Sequence, residues 1–441
     1  MDGTAHGCAD AALALYEQLL SPSSLDVLRK ELGLPGGGGL FSSALTIWIL
    51  VRQRLEGGVG VESAWLGCSE EEALRLSPKS SRAKRGVLSP HASGYDYARR
   101  NLPLGLAAAA ADRLFAEAQA LLETPCDGWV LIDGTSLTLP HSPEIAKAFP
   151  PAENQLGPSH WPVVKVVLAH DLFSGLSMRP EWGPMYGPNA VSEPALALRL
   201  MERLPKECGV VADRGFGIFQ IAHALDGRRM VVRLTEPRAR PMLPAGASLA
   251  QDVDTPYTWR PSALERRQHP DLPEDCGISG RIIVRHVIGP KQKPVTVCLF
   301  TNDLTSSPEE LVEIYAERWN IETDFRSLKA AVGLELLRSK SPGMLAKELV
   351  LSIAAYNLVR TIMALAAQLA GVEPRRLSFT RAKSCIEIYA RRGPMTQALL
   401  EKMLRAIGGR LLTRRREARS FPRKKWHHRE TYAPRTVGEP S

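Results

Sequence analysis

LVEIYAERWNIETDFRSLKAAV, residues 311–332, has the spacing of one long amphipathic helix. Its apolar stripe consists of Leu311, Ile314, Ile321, Phe325, Leu328 and Val332. Ser306, Ser307 and Pro308, followed by Glu309 and Glu310, provide a cap, a first-turn proline and acids that match the helix dipole. The helix is therefore predicted to begin near residue 308 and to pack one face on a core.

A polar column lies beside the apolar stripe. Tyr315, Glu322 and Lys329 are spaced seven residues apart, and Arg318 follows Tyr315 by one turn, so all four are predicted to point the same way. A phenol, a guanidinium, a carboxylate and an ammonium in one column suit contact with a phosphodiester while the carboxylate holds a metal ion.

Short apolar runs upstream of this helix predict the strands of an α/β sheet. The run WVLI at 129–132 leads into Asp133, and GVVA at 209–212 leads into Asp213. Functional groups of open α/β sheets lie at the carboxyl ends of strands, which is where both aspartates are expected. A hairpin turn at Asp133-Gly134, a plain turn after Asp213, and a pair between Glu322 and a neighbouring arginine are the structural alternatives.

Asp133, Asp213 and Glu322 together predict a metal site. Three oxygen donors without His or Cys suit Mg²⁺ or Mn²⁺ rather than zinc. Two such ions about 3.5–4 Å apart can activate a water or a 3′-hydroxyl for phosphoryl transfer. The seven cysteines are scattered singly, which argues against a zinc site or a disulfide framework and fits a reducing cytosol.

The rest of the chain divides by composition. Residues 1–125 are predicted to be mainly helical, and 235–302, rich in proline and in β runs, a β-rich insertion. Helices are predicted at 348–370 and 387–407. The apolar stretch 349–371 contains Asn357 and Arg360, so a buried helix is predicted rather than a membrane span.

Positive charge is concentrated at the end of the chain. Residues 405–435 hold eleven Arg and Lys against two Glu, in a chain of net charge +9. This tail predicts contact with a polyanion or with a second protomer, and a solvated tail is the alternative. A basic run near residues 82–100 similarly predicts a helical DNA-binding module or an ordinary solvated surface.

The spacing Tyr315-x2-Arg318-x3-Glu322-x6-Lys329 resembles the signature of DDE transposases of the insertion-sequence-four family. Asp133 in Asp-Gly-Thr and Asp213 in Asp-Arg-Gly-Phe are similar to the first and second aspartates of that family. The resemblance implies a ribonuclease H-like catalytic core interrupted by a β-strand insertion. The domains expected from it are a helical DNA-binding region (1–125), the first part of the core (126–234), the insertion (235–302), the second part of the core (303–371) and a helical C-terminal region with the basic tail (372–441).

The resemblance implies cut-and-paste DNA transposition. Asp133, Asp213 and Glu322 would be the catalytic metal ligands, and Tyr315, Arg318 and Lys329 would contact DNA phosphates. The expected partners are double-stranded DNA, as inverted-repeat ends and target, and a second protomer in a synaptic homodimer, without a membrane, in the nucleoid-associated cytoplasm.

A DNA hairpin intermediate is also implied, with a flipped base stacked on a tryptophan of the insertion. Trp259 is the tryptophan of that segment, with ordinary burial as the alternative. Trp319 is a second candidate, for which core packing is expected. A metal-dependent nuclease of the same fold without strand transfer and a non-catalytic DNA-binding relative are the rival functions.

Overall fold

The computed structural model describes residues 9–35, 39–123, 128–154, 157–288, 294–390, 392 and 395–412. The helices are α1 (Ala9–Leu19), α2 (Pro22–Glu31), α3 (Ser43–Leu55), α4 (Val61–Leu66), α5 (Glu70–Leu76), α6 (Ser81–Lys84), α7 (Ser93–Asn101), α8 (Leu104–Leu121), α9 (Pro143–Ala148), α10 (Glu193–Met201), α11 (Phe219–Ala224), α12 (Glu236–Ala239), α13 (Ala263–Gln268), α14 (Pro308–Ala316), α15 (Trp319–Arg326), α16 (Pro342–Ala370), α17 (Phe379–Ala390) and α18 (Gln397–Gly408). The strands are β1 (Trp129–Thr138), β2 (Pro151–Asn154), β3 (Gly157–Asp171), β4 (Glu181–Pro184), β5 (Gly209–Ala212), β6 (Met230–Arg233), β7 (Val253–Trp259), β8 (Ile278–Ile288) and β9 (Pro294–Thr301).

A helical bundle precedes the first strand, as the composition of residues 1–125 predicted. Its central helix is α3, in which Ala44–Leu55 are all buried. The buried Arg52 pairs with Glu72 of α5 at 2.9 Å, and Glu72 also accepts a hydrogen bond from the Trp48 indole at 2.8 Å. A buried guanidinium is costly without such a partner, so this pair explains how a charged residue sits in the middle of the bundle.

One mixed sheet organises the rest of the chain, which confirms the predicted α/β fold. The strand order is β2-β3-β1-β5-β6-β9-β8-β7, and β4 pairs with β3. β1 is antiparallel to β3 but parallel to β5, which is in turn parallel to β6. Alternate residues of the strands enter two cores: Leu131 and Val211 on one face, Ile132 and Ala212 on the other.

The segment 235–302 contains the two β runs that were predicted, as β8 and β9, together with the strand β7 and two short helices, α12 and α13, that were not. β9 pairs antiparallel with β6, β8 with β9 and β7 with β8. The three strands therefore extend the central sheet at its β6 edge. Each of the short helices has at most six residues, which is too few to show a helical period in the sequence. The proline and turn residues of the segment were therefore the stronger signal.

The apolar helix α16 forms the centre of the core on one side of the sheet. Its most apolar window is 94% buried inside the protein, as the presence of Asn357 and Arg360 predicted. The single helix predicted over 387–407 is wrong, because α17 ends at Ala390 and α18 begins at Gln397. Gly393 and Pro394, which disfavour helix, lie between them in the sequence. The basic tail from residue 413 onward lies outside the described residues.

Candidate active site

The register of β1 and β5 places the two predicted aspartates side by side. The last parallel pair of these strands is Ile132 with Ala212, so Asp133 and Asp213 are the next residues along each chain. Asp213 follows the end of β5, as predicted. Asp133 does not end its strand: β1 continues to Thr138 against β3, which also rules out the hairpin turn at Asp133-Gly134. The aspartates therefore meet where β5 stops and β1 continues.

The predicted single helix over 311–332 is interrupted. Its start is as expected, since Ser307 and Glu310 form a capping box before α14. Between α14 and α15 the backbone tightens: Arg318 N bonds Tyr315 O at 3.0 Å and Ile321 N bonds Arg318 O at 3.1 Å, both with 3-10 spacing. A π turn, Ser327–Ala331, follows α15. No proline or glycine marks these changes, so the apolar period alone could not reveal them.

The polar column of this segment nevertheless faces the two aspartates. Tyr315 Oη donates to Asp213 Oδ1 at 3.3 Å. Arg318 Nη1 lies 3.4 Å from Asp133 Oδ2 and 3.6 Å from Asp213 Oδ2, and its Nη2 lies 3.9 Å from Glu322 Oε1. Lys329 Nζ donates to the backbone oxygen of a β1 residue, Ser136, at 3.4 Å. Residues 185 positions apart in the chain thus share one site.

Arg318 is the residue around which the three acids are arranged. Its side chain is 11% exposed, whereas that of Glu322 is 45% exposed at the open side of the site. Because both aspartate oxygens contact Arg318 Nη1, they are at most about 7 Å apart, the sum of the two distances. Burial raises the pKa of Asp133 to about 6, against the opposing effect of the Gly134 N–H and of Arg318. A buried carboxylate of this kind gains stability from additional positive charge.

The donor set fits a divalent cation. Asp133, Asp213 and Glu322 offer only carboxylate oxygen, the ligand that Mg²⁺ and Mn²⁺ prefer. In the described ranges no three His, Cys, Asp or Glu side chains are positioned to hold one ion together, and the Arg318 guanidinium lies among these acids. The chemistry of the acids fits the predicted ions, but their present placement does not form a metal site; closer approach requires side-chain movement, for which the 45% exposed Glu322 has room.

Arg233, at the end of β6, is a site residue that the sequence analysis missed. Its Nη1 lies 3.4 Å from Tyr315 Oη, and its guanidinium lies 5.8 Å from the centre of the Tyr315 ring. β6 is parallel to β5, so Arg233 and Asp213 end neighbouring strands at the same edge. The two aspartates were predicted from their positions at the carboxyl ends of strands. The same criterion, extended to Arg and Lys, identifies Arg233.

A buried ion cluster on the opposite side of α15 was also missed. Asp324, two residues after Glu322, pairs with Arg360 of α16 and with Arg375, whose Nη1 is 2.6 Å away. Arg375 also donates to Leu172 O at 2.9 Å. The pair of arginines therefore ties the helix that carries Glu322 to α16 and to the sheet. A lone Asp in a polar helix face gave no sign of this burial.

The two tryptophans differ in burial, and only Trp319 departs from what was expected of it. Trp259 is 4% exposed and packs between Phe219 and Phe300, with ring centres 6.2 and 4.9 Å away, which agrees with its packing alternative. Trp319 was expected in the core, but 44% of its surface is exposed, beside Arg318 at 5.9 Å. It is the first residue of α15 and lies just after the tightened turn.

Comparison with known proteins is consistent with this site. Residues 124–358 match the family model described as the transposase DDE domain, which covers just over half of the chain and all three acids. The chain is also 26% identical over 323 residues to the transposase InsG for insertion sequence element IS4 of Escherichia coli strain K12, across 68% of this chain and 69% of that protein. The chain therefore belongs to the DDE transposases, in the insertion-sequence-four family that the signature in its α14–α15 segment predicted.

Proposed function

We propose that this transposase cuts and rejoins DNA by two-metal phosphodiester chemistry at the ends of an insertion sequence. The observation that carries the proposal is the meeting of Asp133, Asp213 and Glu322, from two adjacent parallel strands and one helix, around a single guanidinium. These three side chains would hold Mg²⁺ or Mn²⁺. When bound, such ions supply an activated water or 3′-hydroxyl and stabilise the leaving oxygen.

The cations around the acids suit the DNA backbone. Arg318, Lys329 and Arg233 border the carboxylates, and the Tyr315 hydroxyl lies between them. In this proposal they hold the phosphates on either side of the scissile bond, which fixes the strand without reading its sequence. Arg233 ends β6, Arg318 lies in the tight turn just before α15, and Lys329 lies in the π turn that follows α15, so each is held on regular backbone.

The order β3-β1-β5-β6, with one antiparallel pair and two parallel ones, supports a ribonuclease H-like core. We assign DNA binding outside the core to the helical region 1–125, where Arg82, Lys84 and Arg85 are exposed on and after α6. Asp96, by contrast, pairs with Arg99 and Arg100 and lowers the positive charge of α7. The division into five domains, the synaptic homodimer and the nucleoid location remain part of the proposal.

Trp319 is the better candidate for stacking a flipped base if the reaction passes through a DNA hairpin. It is 44% exposed and lies beside Arg318, which contacts the three acids, whereas Trp259 is enclosed by Phe219 and Phe300. Aromatic stacking contributes about 1–3 kcal/mol per base, so its loss should slow the step that needs the flipped base. Trp319→Ala is expected to slow hairpin formation more than first-strand nicking in a timed cleavage assay. Equal slowing of both steps would contradict this role.

The test of the function uses purified full-length protein, a supercoiled plasmid bearing the element with its flanking DNA, and Mg²⁺. Glu322→Ala should bind the ends with unchanged affinity and produce no nicked DNA, because a metal ligand is lost while the phosphate contacts remain. Glu313→Ala removes an exposed acid from the preceding helix and should cleave like the natural protein. Cleavage by Glu322→Ala would overturn the assignment of that residue.

The same reaction separates the rival functions. A transposase yields excised element joined to a second plasmid, and a nuclease of the same fold yields cut ends without joined product. A non-catalytic relative binds the ends without nicking them at any Mg²⁺ concentration. Joined product in the natural protein and its absence in Glu322→Ala is the result expected here.

A further inference from the structure

The paired strands β1 and β3 project beyond the edge of the sheet at which the two site aspartates lie. β5 ends at Ala212, whereas β1 continues against β3 as far as Thr138. We call the projecting part, residues 134–141 together with 160–167, the β1–β3 ribbon. Because the pairing is antiparallel, the residues that follow β1 lie beside the first half of β3.

Three aromatic rings cluster at the outer part of this ribbon. Leu139 N donates to Pro162 O at 2.9 Å, which brings His141 close to His160 and Trp161. The two imidazoles stack with ring centres 4.6 Å apart and planes inclined by 11°, and the Trp161 ring meets that of His160 edge to face at 4.5 Å. Both histidines are exposed, and Trp161 is 42% exposed. Tryptophan is largely buried in most proteins, so an exposed cluster of rings indicates a surface that contacts another molecule.

The cluster lies along the ribbon in the direction that leads away from the three acids. Asp133 and Pro140 are seven residues apart, which corresponds to about 23 Å of extended strand. Lys329, the last residue of the polar column, contacts the backbone oxygen of Ser136 at 3.4 Å, about halfway along this path. Lys165 is the β3 partner of Ser136. Positive charge therefore lies between the acids and the rings, where it suits a DNA backbone that continues past the cleavage site.

We infer that His141, His160 and Trp161 form a second DNA contact surface, on which Trp161 stacks against an unpaired base. This role rests on the proposed function, because it takes the DNA to lie across the three acids. A stacked strand rises about 3.4 Å per nucleotide, so about 23 Å corresponds to about seven nucleotides from the scissile phosphate. Every base has a flat face that stacks on an aromatic ring whatever the sequence. The surface is separate from Trp319, which lies beside Arg318.

The first experiment measures DNA affinity by fluorescence anisotropy in buffer without divalent metal, so that the DNA is not cleaved. The probes are a fully paired element end and the same end with about seven unpaired nucleotides on one or the other side of the cleavage position. Trp161→Ala should bind the unpaired probe that covers the surface about fivefold or more weakly, and should lose less affinity for the paired probe. Trp161→Phe keeps a ring and should retain most of the affinity.

Phe173→Ala is the matched control. Phe173 is 54% exposed and lies just past the opposite end of β3, away from the ribbon. This variant removes an exposed ring from the same strand and should bind every probe like the natural protein.

Three results would overturn the inference. Unchanged affinity of Trp161→Ala for the unpaired probes, or an equal loss for paired and unpaired probes, would exclude stacking on an unpaired base. Loss of self-association in sedimentation, with unchanged DNA affinity, would assign the surface to a second protomer. A lower unfolding midpoint with unchanged DNA affinity would assign the rings to the stability of the ribbon.

Photocrosslinking of the natural protein gives a measurement that does not depend on the folding of a variant. 5-Iododeoxyuridine is placed at successive positions of the unpaired probes, and the crosslinked peptides are identified by mass spectrometry. The peptide that contains Trp161 should be crosslinked at about seven nucleotides or fewer from the cleavage position. Its absence at every position would overturn the inference.

These results are distinguishable from a failure of the proposed function. Cleavage that depends on Glu322, together with unchanged probe affinity in Trp161→Ala, would reject the second surface alone. Cleavage by Glu322→Ala would reject the proposed assignment of the acids, whereas a Trp161 crosslink would still identify the DNA contact.

Discussion

Replacement of Asp324 by asparagine tests how the helix that carries Glu322 is held. Asp324 is fully buried and balances two arginines, Arg360 and Arg375, whose side chains are 4% and 13% exposed. Asparagine keeps the shape of the side chain and removes its charge. The variant therefore leaves two buried guanidinium groups without their counter-charge.

The magnitude follows from two considerations. Burial raises the pKa of Asp324, but Arg375 and Arg360 outweigh it and hold the pKa at about 2, which corresponds to about 2–3 kcal/mol of favourable interaction. Removing one partner of a buried ion pair usually costs more, about 3–5 kcal/mol, because the remaining charge is uncompensated. Arg375 retains carbonyl oxygens of Leu172 and Asp171, at 2.9 and 2.7 Å, so we expect the lower half of that range.

Equilibrium urea unfolding at pH 7 measures this change in the free energy of unfolding. The matched control is Asp112→Asn, since Asp112 is 45% exposed and pairs with Arg179 at 3.1 Å. Such a surface pair contributes about 0.2–1 kcal/mol. A loss of less than about 1 kcal/mol in Asp324→Asn, equal to that in the control, would refute the view that this cluster anchors the helix.

Three further outcomes are expected. Arg318→Ala should weaken DNA binding equally for all sequences and reduce the salt dependence of binding by about one phosphate contact, measured by fluorescence anisotropy; a sequence-selective loss would contradict this role. Burial lowers the pKa of His170 to about 4 from an ordinary 6.5, so the folded state resists protonation and the free energy of unfolding should fall by about 3 kcal/mol as the pH drops from about 6.5 to 4. His170→Gln should show a flatter decline in urea unfolding, and an unchanged slope would contradict the assignment. Gly217→Ala should cost about 1–3 kcal/mol, because its methyl group would lie 2.3 Å from the Arg233 carbonyl, whereas Gly215→Ala meets no atom within 4 Å and should be nearly neutral in the same assay.

The sequence predicted which side chains come together better than it predicted the elements that carry them. The spacing of Tyr315, Arg318, Glu322 and Lys329 placed all four on one side, and they face one site although the helix tightens and widens along its length. The direction of a side chain depends on the average rotation per residue along the helix. The 3-10 turn increases this rotation and the π turn decreases it, so the average changes little and the side chains keep their predicted directions. The changes themselves follow from tertiary contacts that no local pattern records.

Errors of burial have a different cause. Trp319 was expected in the core, yet it is exposed, and Asp324, for which nothing was predicted, is fully buried. The type of a residue predicts its burial poorly when its partners come from a distant segment of the chain, as Arg360 and Arg375 do for Asp324. Arg233 was overlooked for the opposite reason, since only its position at a strand end distinguished it from other arginines.

The helix that carries Glu322 is held from two sides, and the two attachments differ in kind. Asp324 fastens it inward through two buried arginines, while Arg318 contacts the strand acids across the site. Within the described part of the chain, the ion-pair contact of Glu322 is the one with Arg318 at 3.9 Å, and its side chain is 45% exposed. A site that admits ions and DNA and then brings its ligands together needs a rigid backbone and a movable side chain. Here the helix fixes the position of the Glu322 backbone, while the Glu322 carboxylate is free to move. This division predicts that changes at Asp324 act on stability and on the position of the helix, and that changes at Glu322 act on chemistry alone.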